Sequence, residues 1–255
     1  MKIERCLALH DWENSIDWLS ILKELQTLED VDWKSGKFSL LSKNGKLKQL
    51  GFEEFWQNHS KSFRGLLAGT FEIHGHVLYV SITGPDRPSR TFHVSISGEM
   101  RDDGWINVWY IEAWRRLSLL GSLGYGYAFN FSSASLDPVA ELFTQGIEYL
   151  SGSEEDGAMV DDWMYWVTFS KGIGKFTTEG RFRNAFGINI INQSHLCSRT
   201  SNGTSLSDEI HSGLGALEEI GNKNFIWTLT RGELPVARAL LADSKLLLGK
   251  YVHTG

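Results

Sequence analysis

Leu67 to Ile82 reads LAGTFEIHGHVLYVSI, and its residues either alternate apolar with polar or crowd together β-branched and aromatic side chains. That composition and a period of two belong to extended strands. Arg90 to Ser97 and Trp105 to Glu112 continue it. Between them lie Gly84-Pro85-Asp86-Arg87-Pro88 and Asp102-Asp103-Gly104, which are turn compositions. Three strands joined by short turns predict an antiparallel meander. One face must be covered, because a sheet exposing Phe71, Val77, Phe92, Trp105 and Trp109 would aggregate.

Working outward, the period changes to helical. Trp18, Ile21, Leu22, Leu25 and Leu28 predict an amphipathic helix over 15–30, capped by Asn14 or Ser15. Residues 34–50 read as a Lys-, Ser- and Gly-rich segment turning at Asn44-Gly45, and Phe52 to Phe63 as a second helix. The stretch from Gly121 to Ser135 carries no clear signal. Asp137-Pro138 opens a helix whose stripe is Leu136, Val139, Ala140, Phe143, Ile147 and Leu150. SGSEEDGA, 151–158, reads as an acidic loop and Trp163 to Phe169 as a strand. Phe225 to Thr230 predicts a strand, and Glu233 to Leu248 a helix with Leu234, Ala237, Leu240 and Leu241 on its stripe. The expected class is α+β: a mainly antiparallel sheet with helices packed on one side. It would form a single domain over 1–255, or two α+β lobes with a weak boundary near 151–158.

Composition narrows the function classes. The 255 residues are 42% hydrophobic and 22% charged, with 10 Trp and a net charge of −6. An acidic chain lacks the basic footprint that nucleic-acid binding needs. No apolar run reaches the roughly 18 residues of a membrane span, and Glu4, Arg5, His10 and Asp11 interrupt any signal-peptide core. Cys6 and Cys197 are the only cysteines and do not form a CxxC pair. The expectation is a cytoplasmic protein with reduced thiols.

The charge is segregated. Residues 117–170 contain eight acidic residues and no Lys or Arg, a local −8 that leaves the rest of the chain slightly basic. Glu154, Glu155, Asp156, Asp161 and Asp162 concentrate in the acidic loop and just after it, with Trp163 directly following. Acidic side chains around an aromatic anchor suit a protein interface, and their field would steer a basic partner. Solvated surface charge is the plainer reading of such a window.

Enzyme signatures are weak. His74-Gly75-His76, joined by His93 from the next strand, would place three imidazoles on one sheet face and bind zinc with an open position. Gly75 suggests a bulge as readily, and no acidic ligand is fixed by spacing. There is no GxSxG elbow. Gly172-Ile173-Gly174-Lys175 lacks the phosphate-loop spacing, and Gly121 to Gly126 lacks the dinucleotide fingerprint. Asp161 and Asp162 are adjacent, so on a strand they diverge. Catalytic residues, cofactors and metals are therefore not expected.

The C-terminal third carries a resemblance. Trp163 to Phe169, Arg183-Asn-Ala-Phe-Gly-Ile-Asn-Ile-Ile-Asn192, His195-Leu196, Ser205-Leu206 with Ile210, Gly215-Ala216-Leu217, Phe225-Ile-Trp227-Thr-Leu-Thr and Leu234, Arg238, Leu240, Leu241 stand in the order seen in immunity proteins of bacterial polymorphic toxin systems. The chain resembles immunity protein family 52 over about 160–250. Most matching positions are apolar or turn residues and specify fold. The resemblance implies a non-enzymatic protein that binds and neutralises a cognate antibacterial toxin. That toxin would be a restriction-endonuclease-like DNase, delivered by type VI secretion. Glu154, Glu155, Asp156, Asp161, Asp162 and Trp163 are then the expected toxin contacts, and neither nucleic acid nor membrane is an expected partner.

Overall fold

The computed structural model describes residues 3–10, 18–41, 47–59, 66–83, 91–98, 104–121, 123–132, 180–182 and 185–247. In chain order the elements are β1 (Ile3–His10), α1 (Trp18–Leu25), β2 (Val31–Leu41), β3 (Leu47–Gly51), the short α2 (Phe52–Glu54) running into a π-turn (Phe55–His59), β4 (Leu66–Ile73), β5 (His76–Thr83) and β6 (Thr91–Gly98). Then come α3 (Gly104–Ser118), β7 (Tyr125–Ser132), β8 (Ile188–Asn192), α4 (Gln193–Leu196), α5 (Leu206–His211), β9 (Ala216–Gly221), β10 (Asn224–Thr228) and α6 (Leu234–Asp243). The ten strands form one sheet in the order β3-β2-β4-β5-β6-β1-β7-β8-β10-β9. Its pairings are antiparallel throughout. The α+β class holds.

The period-two stretch folds as a hairpin. Phe71 and Ile73 are buried on β4, Leu78 and Val80 on β5, and Val94 and Ile96 on β6. The register places Leu78 between Phe71 and Ile96, and Val80 beside Val94. These residues therefore line one face of the pleat. On β2 the same face takes both Trp33 and Phe38, five positions apart. A register shift between Asp32 and Lys37 makes that parity possible by adding residues to β2. Phe38 stacks on Phe55 at 4.3 Å, and Trp33 meets Phe71 at 4.6 Å.

Two helices cover this face. Ile21, Leu22 and Leu25 of α1 are buried at helical spacing, as the sequence predicts. The second cover is α3, and it corrects a reading: Trp105 to Glu112 is helix, not strand. Ile106, Trp109, Tyr110, Ala113, Trp114 and Leu117 are its buried stripe, at intervals of three, four, seven, eight and eleven. Two further readings change: Leu67 to Ile82 is two strands closed by a His74-Gly75 turn, and residues 34–50 contribute most of β2 and β3. The second helix is helical over its described part, Phe52 to His59, and its remainder lies outside the described residues.

A second core lies on the opposite face of β7, β8 and β10. Ala128, Ile188, Ile190 and Ile226 pack with the α1–α3 cluster, while Tyr125, Tyr127, Ile191 and Trp227 pack with Phe182, Leu196, Leu206, Ile210 and the α6 residues Leu234, Ala237 and Leu241. Alternation along each strand divides the two sets. The proposed boundary near 151–158 falls outside the described residues.

Candidate partner interface

Glu154, Glu155, Asp156, Asp161, Asp162 and Trp163 all lie outside the described residues. The three histidines do not come together as a zinc site requires. His74 sits in the β4–β5 turn with a left-handed φ of 48°, and His76 opens β5 opposite Ile73. His93 pairs with Ser81 and Ala8, five residues along the sheet from His76. At about 3.3 Å per residue that is roughly 17 Å, far beyond shared coordination. His74 instead meets Asp30 at 3.6 Å and the Trp105 ring at 4.8 Å. Among the described residues no group of three His, Cys, Asp or Glu side chains is placed to hold a metal.

The charged surface with defined geometry lies where α3 crosses the β9 end of the sheet. Arg115 donates through Nε and Nη2 to Glu218 Oε1 at 3.1 and 2.6 Å. Its Nη1 lies 3.8 Å from Glu112 Oε2, and Arg116 Nε donates to Glu112 Oε1 at 2.9 Å. The result is an acid–base ladder running from β9 along the outside of α3. Val108 and Leu119, 68% and 65% exposed, lie on the stripe that Glu112 and Arg115 occupy. Apolar side chains within a charged surround have the composition of a protein interface. The sequence held a signal for this surface, since 108, 112, 115 and 119 follow helical spacing, but it shows only once 105–112 is read as helix.

Three polar side chains fix that geometry. Ser118 Oγ donates to the Ile220 carbonyl at 2.6 Å, and Asn222 Nδ2 donates to the Ser118 carbonyl at 2.6 Å. Buried Asn224 accepts from the Leu123 amide at 2.9 Å and donates to the Gly121 and Gly221 carbonyls, each at 3.1 Å. The C-terminal end of α3 is thereby stitched to the β9–β10 turn. Asn222 and Lys223 in that turn have φ of 50° and 59°, the left-handed pair of a tight hairpin.

Behind β10, several of the described C-terminal motif residues make structural hydrogen bonds. Asn189 accepts from the Phe186 amide at 3.0 Å and donates to the Phe186 and Trp227 carbonyls at 2.6 and 3.3 Å. The Trp227 indole donates to the Leu214 carbonyl at 2.9 Å, and Arg238 Nε to the Ala185 carbonyl at 3.1 Å. His195, fully buried, lies 3.0 Å from the Arg181 carbonyl through Nε2. A carbonyl only accepts, so Nε2 carries the proton, while Nδ1 faces the Asn192 amide at 3.4 Å and the Asn192 Oδ1 at 2.8 Å. Burial pushes its pKa down to about 4, against the pull of the Arg181 carbonyl. The reading of the apolar positions as fold-specifying agrees with the burial of Ile188, Ile190 and Ile226 in the first core and of Phe186, Ile191, Leu196, Trp227 and Leu234 in the second.

Carboxylates around this core are tied into turns. Glu209 Oε1 accepts from Thr204, Asn202 and Thr200 at 2.6, 2.9 and 3.0 Å, and these bonds hold its pKa below the usual value, that from Thr204 most strongly. Asp208 is lowered by the Ser205 hydroxyl and Glu233 by the Thr230 amide. No described helix is long and apolar enough to cross a membrane.

Comparison with known proteins gives a likeness of fold. No protein-family model matches the chain, and no curated protein does. Among solved structures, the fold is similar to that of the Pseudomonas aeruginosa T6SS protein PA0821. That match has a TM-score of 0.53 and 8% identity, and it covers 98% of this chain and 77% of the other.

Proposed function

We propose that the chain is an immunity protein that binds a toxin of a type VI secretion system and neutralises it by protein–protein contact. The observation that carries this reading is the likeness of fold to a T6SS protein across 98% of the chain. The order of the C-terminal motifs, which resembles that of toxin immunity proteins, is the second support. On this reading the protein works as a binder in the cytoplasm, without catalytic residues or cofactors. The toxin is a basic nuclease, and the acidic segment around Glu154, Glu155, Asp156, Asp161, Asp162 and Trp163 steers and contacts it.

The test is to co-express the chain with the product of the adjacent gene in a sensitive host. Survival, a co-purifying complex and loss of DNA cleavage are expected. A neighbour that kills equally well with and without the chain would end the immunity reading. Replacing the five acids with Ser should slow association by one to three orders of magnitude. An unchanged rate and salt dependence would remove that segment from the contact.

A further inference from the structure

We propose that the outer edge of β9 is a docking edge for an extended, basic segment of a protein partner, which adds to the sheet as a further strand. This deepens the immunity reading by naming the chemistry of the segment a toxin would present. Among the described residues, no strand pairs with the far side of β9. A free row of amides and carbonyls is a template for another chain.

The edge is held ready. Leu217 packs toward the second core and Ile220 toward the first, so the strand is anchored through both faces. Ser118, Asn222 and Asn224 fix the turn beside it. Such anchoring removes much of the ordering cost that strand addition otherwise carries.

The charge selects the occupant. Glu218 and Glu219 stand at the centre of the six-residue strand and point to opposite faces. Glu218 engages Arg115, while Glu219 is exposed and has no ion-pair partner among the described residues. Two copies pairing about a two-fold axis at Glu218 or at Glu219 would set that carboxylate directly against its own copy on the same face. Like charges directly opposite destabilise a ladder. A strand with two adjacent basic residues at its centre meets one carboxylate on each face instead.

The probe is the capped peptide Thr-Val-Lys-Arg-Val-Thr, added to the full-length, isotope-labelled protein. Saturable amide shifts centred on Ala216–Gly221 are expected. The same peptide with Glu-Glu at its centre should bind at least tenfold more weakly, as should one N-methylated along one edge. Glu219→Lys leaves the Arg115–Glu218 bridge in place and should weaken the basic peptide at least tenfold, with an unchanged circular dichroism spectrum as the folding control. No shifts at β9, or equal binding of the basic and acidic peptides, overturns the proposal. A concentration-dependent dimer that protects the same amides assigns the edge to a second copy and also overturns it. The experiment uses no toxin, so its failure and the failure of cell protection are separate results.

Discussion

The Arg115 guanidinium reaches Glu218 at 2.6 Å across 103 positions of sequence, joining the outside of α3 to the last strand of the sheet. Both side chains are about half exposed. The helix is positioned by buried hydrogen bonds nearby, so this bridge shapes the surface more than it stabilises the fold. A double-mutant cycle of Arg115→Ala and Glu218→Ala should give a coupling of roughly 0.2–1 kcal/mol, fading with added salt. A coupling above about 2 kcal/mol would show that the bridge holds α3 in place.

Asn224 is a different case, because its partners cannot turn to water. Asn224→Ala strands the Leu123 amide and frees the Gly121 and Gly221 carbonyls. A loss of roughly 2–4 kcal/mol is expected from urea unfolding, since unsatisfied buried groups carry their full desolvation cost. Asn222→Ala at the exposed turn should cost less than half of that.

Gly215 and Gly203 share a φ of +83°, yet they differ in surroundings. A Cβ at Gly215 would meet the Thr228 carbonyl, with the Trp227 indole nitrogen at 2.8 Å and Leu229 at 2.9 Å, whereas Gly203 has nothing within 4 Å. Gly203→Ala should cost about 1 kcal/mol, the strain of a left-handed residue alone. Gly215→Ala adds a clash against backbone and should exceed 3 kcal/mol. Equal costs in thermal or urea melts would mean that the Thr228 strand yields freely.

The pH dependence divides into two windows. His195 is neutral in the fold with a pKa near 4, against 6.5 when exposed. Its stabilising effect is complete above pH 6.5 and is lost as pH falls toward 4, about 3 kcal/mol in all. Asp208, Glu209 and Glu233 are depressed below ordinary carboxylates, so their share is lost only below about pH 4.5. His195→Gln should lower stability at pH 7.5 and flatten the curve between pH 6.5 and 4.5. A variant as steep as the parent in that range would assign the slope to other groups.

At the C-terminal end β10 and α6 were legible because their signals are local: Phe225 to Thr228 is a run of strand formers, and Leu234, Ala237 and Leu241 follow a plain helical stripe. β8, α4, α5 and β9 are short and carried no such reading. The α3 segment misleads because Trp, Ile, Val and Tyr are strand formers by intrinsic preference, while its burial period is helical. Tertiary packing overrode the preference. At His74-Gly75 the chain turns without Asn or Asp, so the hairpin read as one strand. β1 carries few β-branched residues and Glu4 and Arg5, yet long-range pairing makes it a central strand. For the site, the acidic residues were legible as composition. The α3–β9 ladder was not, since its partners lie about a hundred residues apart.

That central strand has a consequence for how the molecule is made. β1 sits between β6 and β7, so Ile3–His10 leaves the ribosome long before Thr91–Gly98 or Tyr125–Ser132 exists to receive it. Until then it is an orphan segment within reach of chaperones or of other nascent chains. In the finished sheet β1 is the strand that unites those up to β6 with those from β7 onward. A bulky fusion placed at this strand should trap the chain before the sheet is joined, lowering soluble yield while the separate hairpins still form.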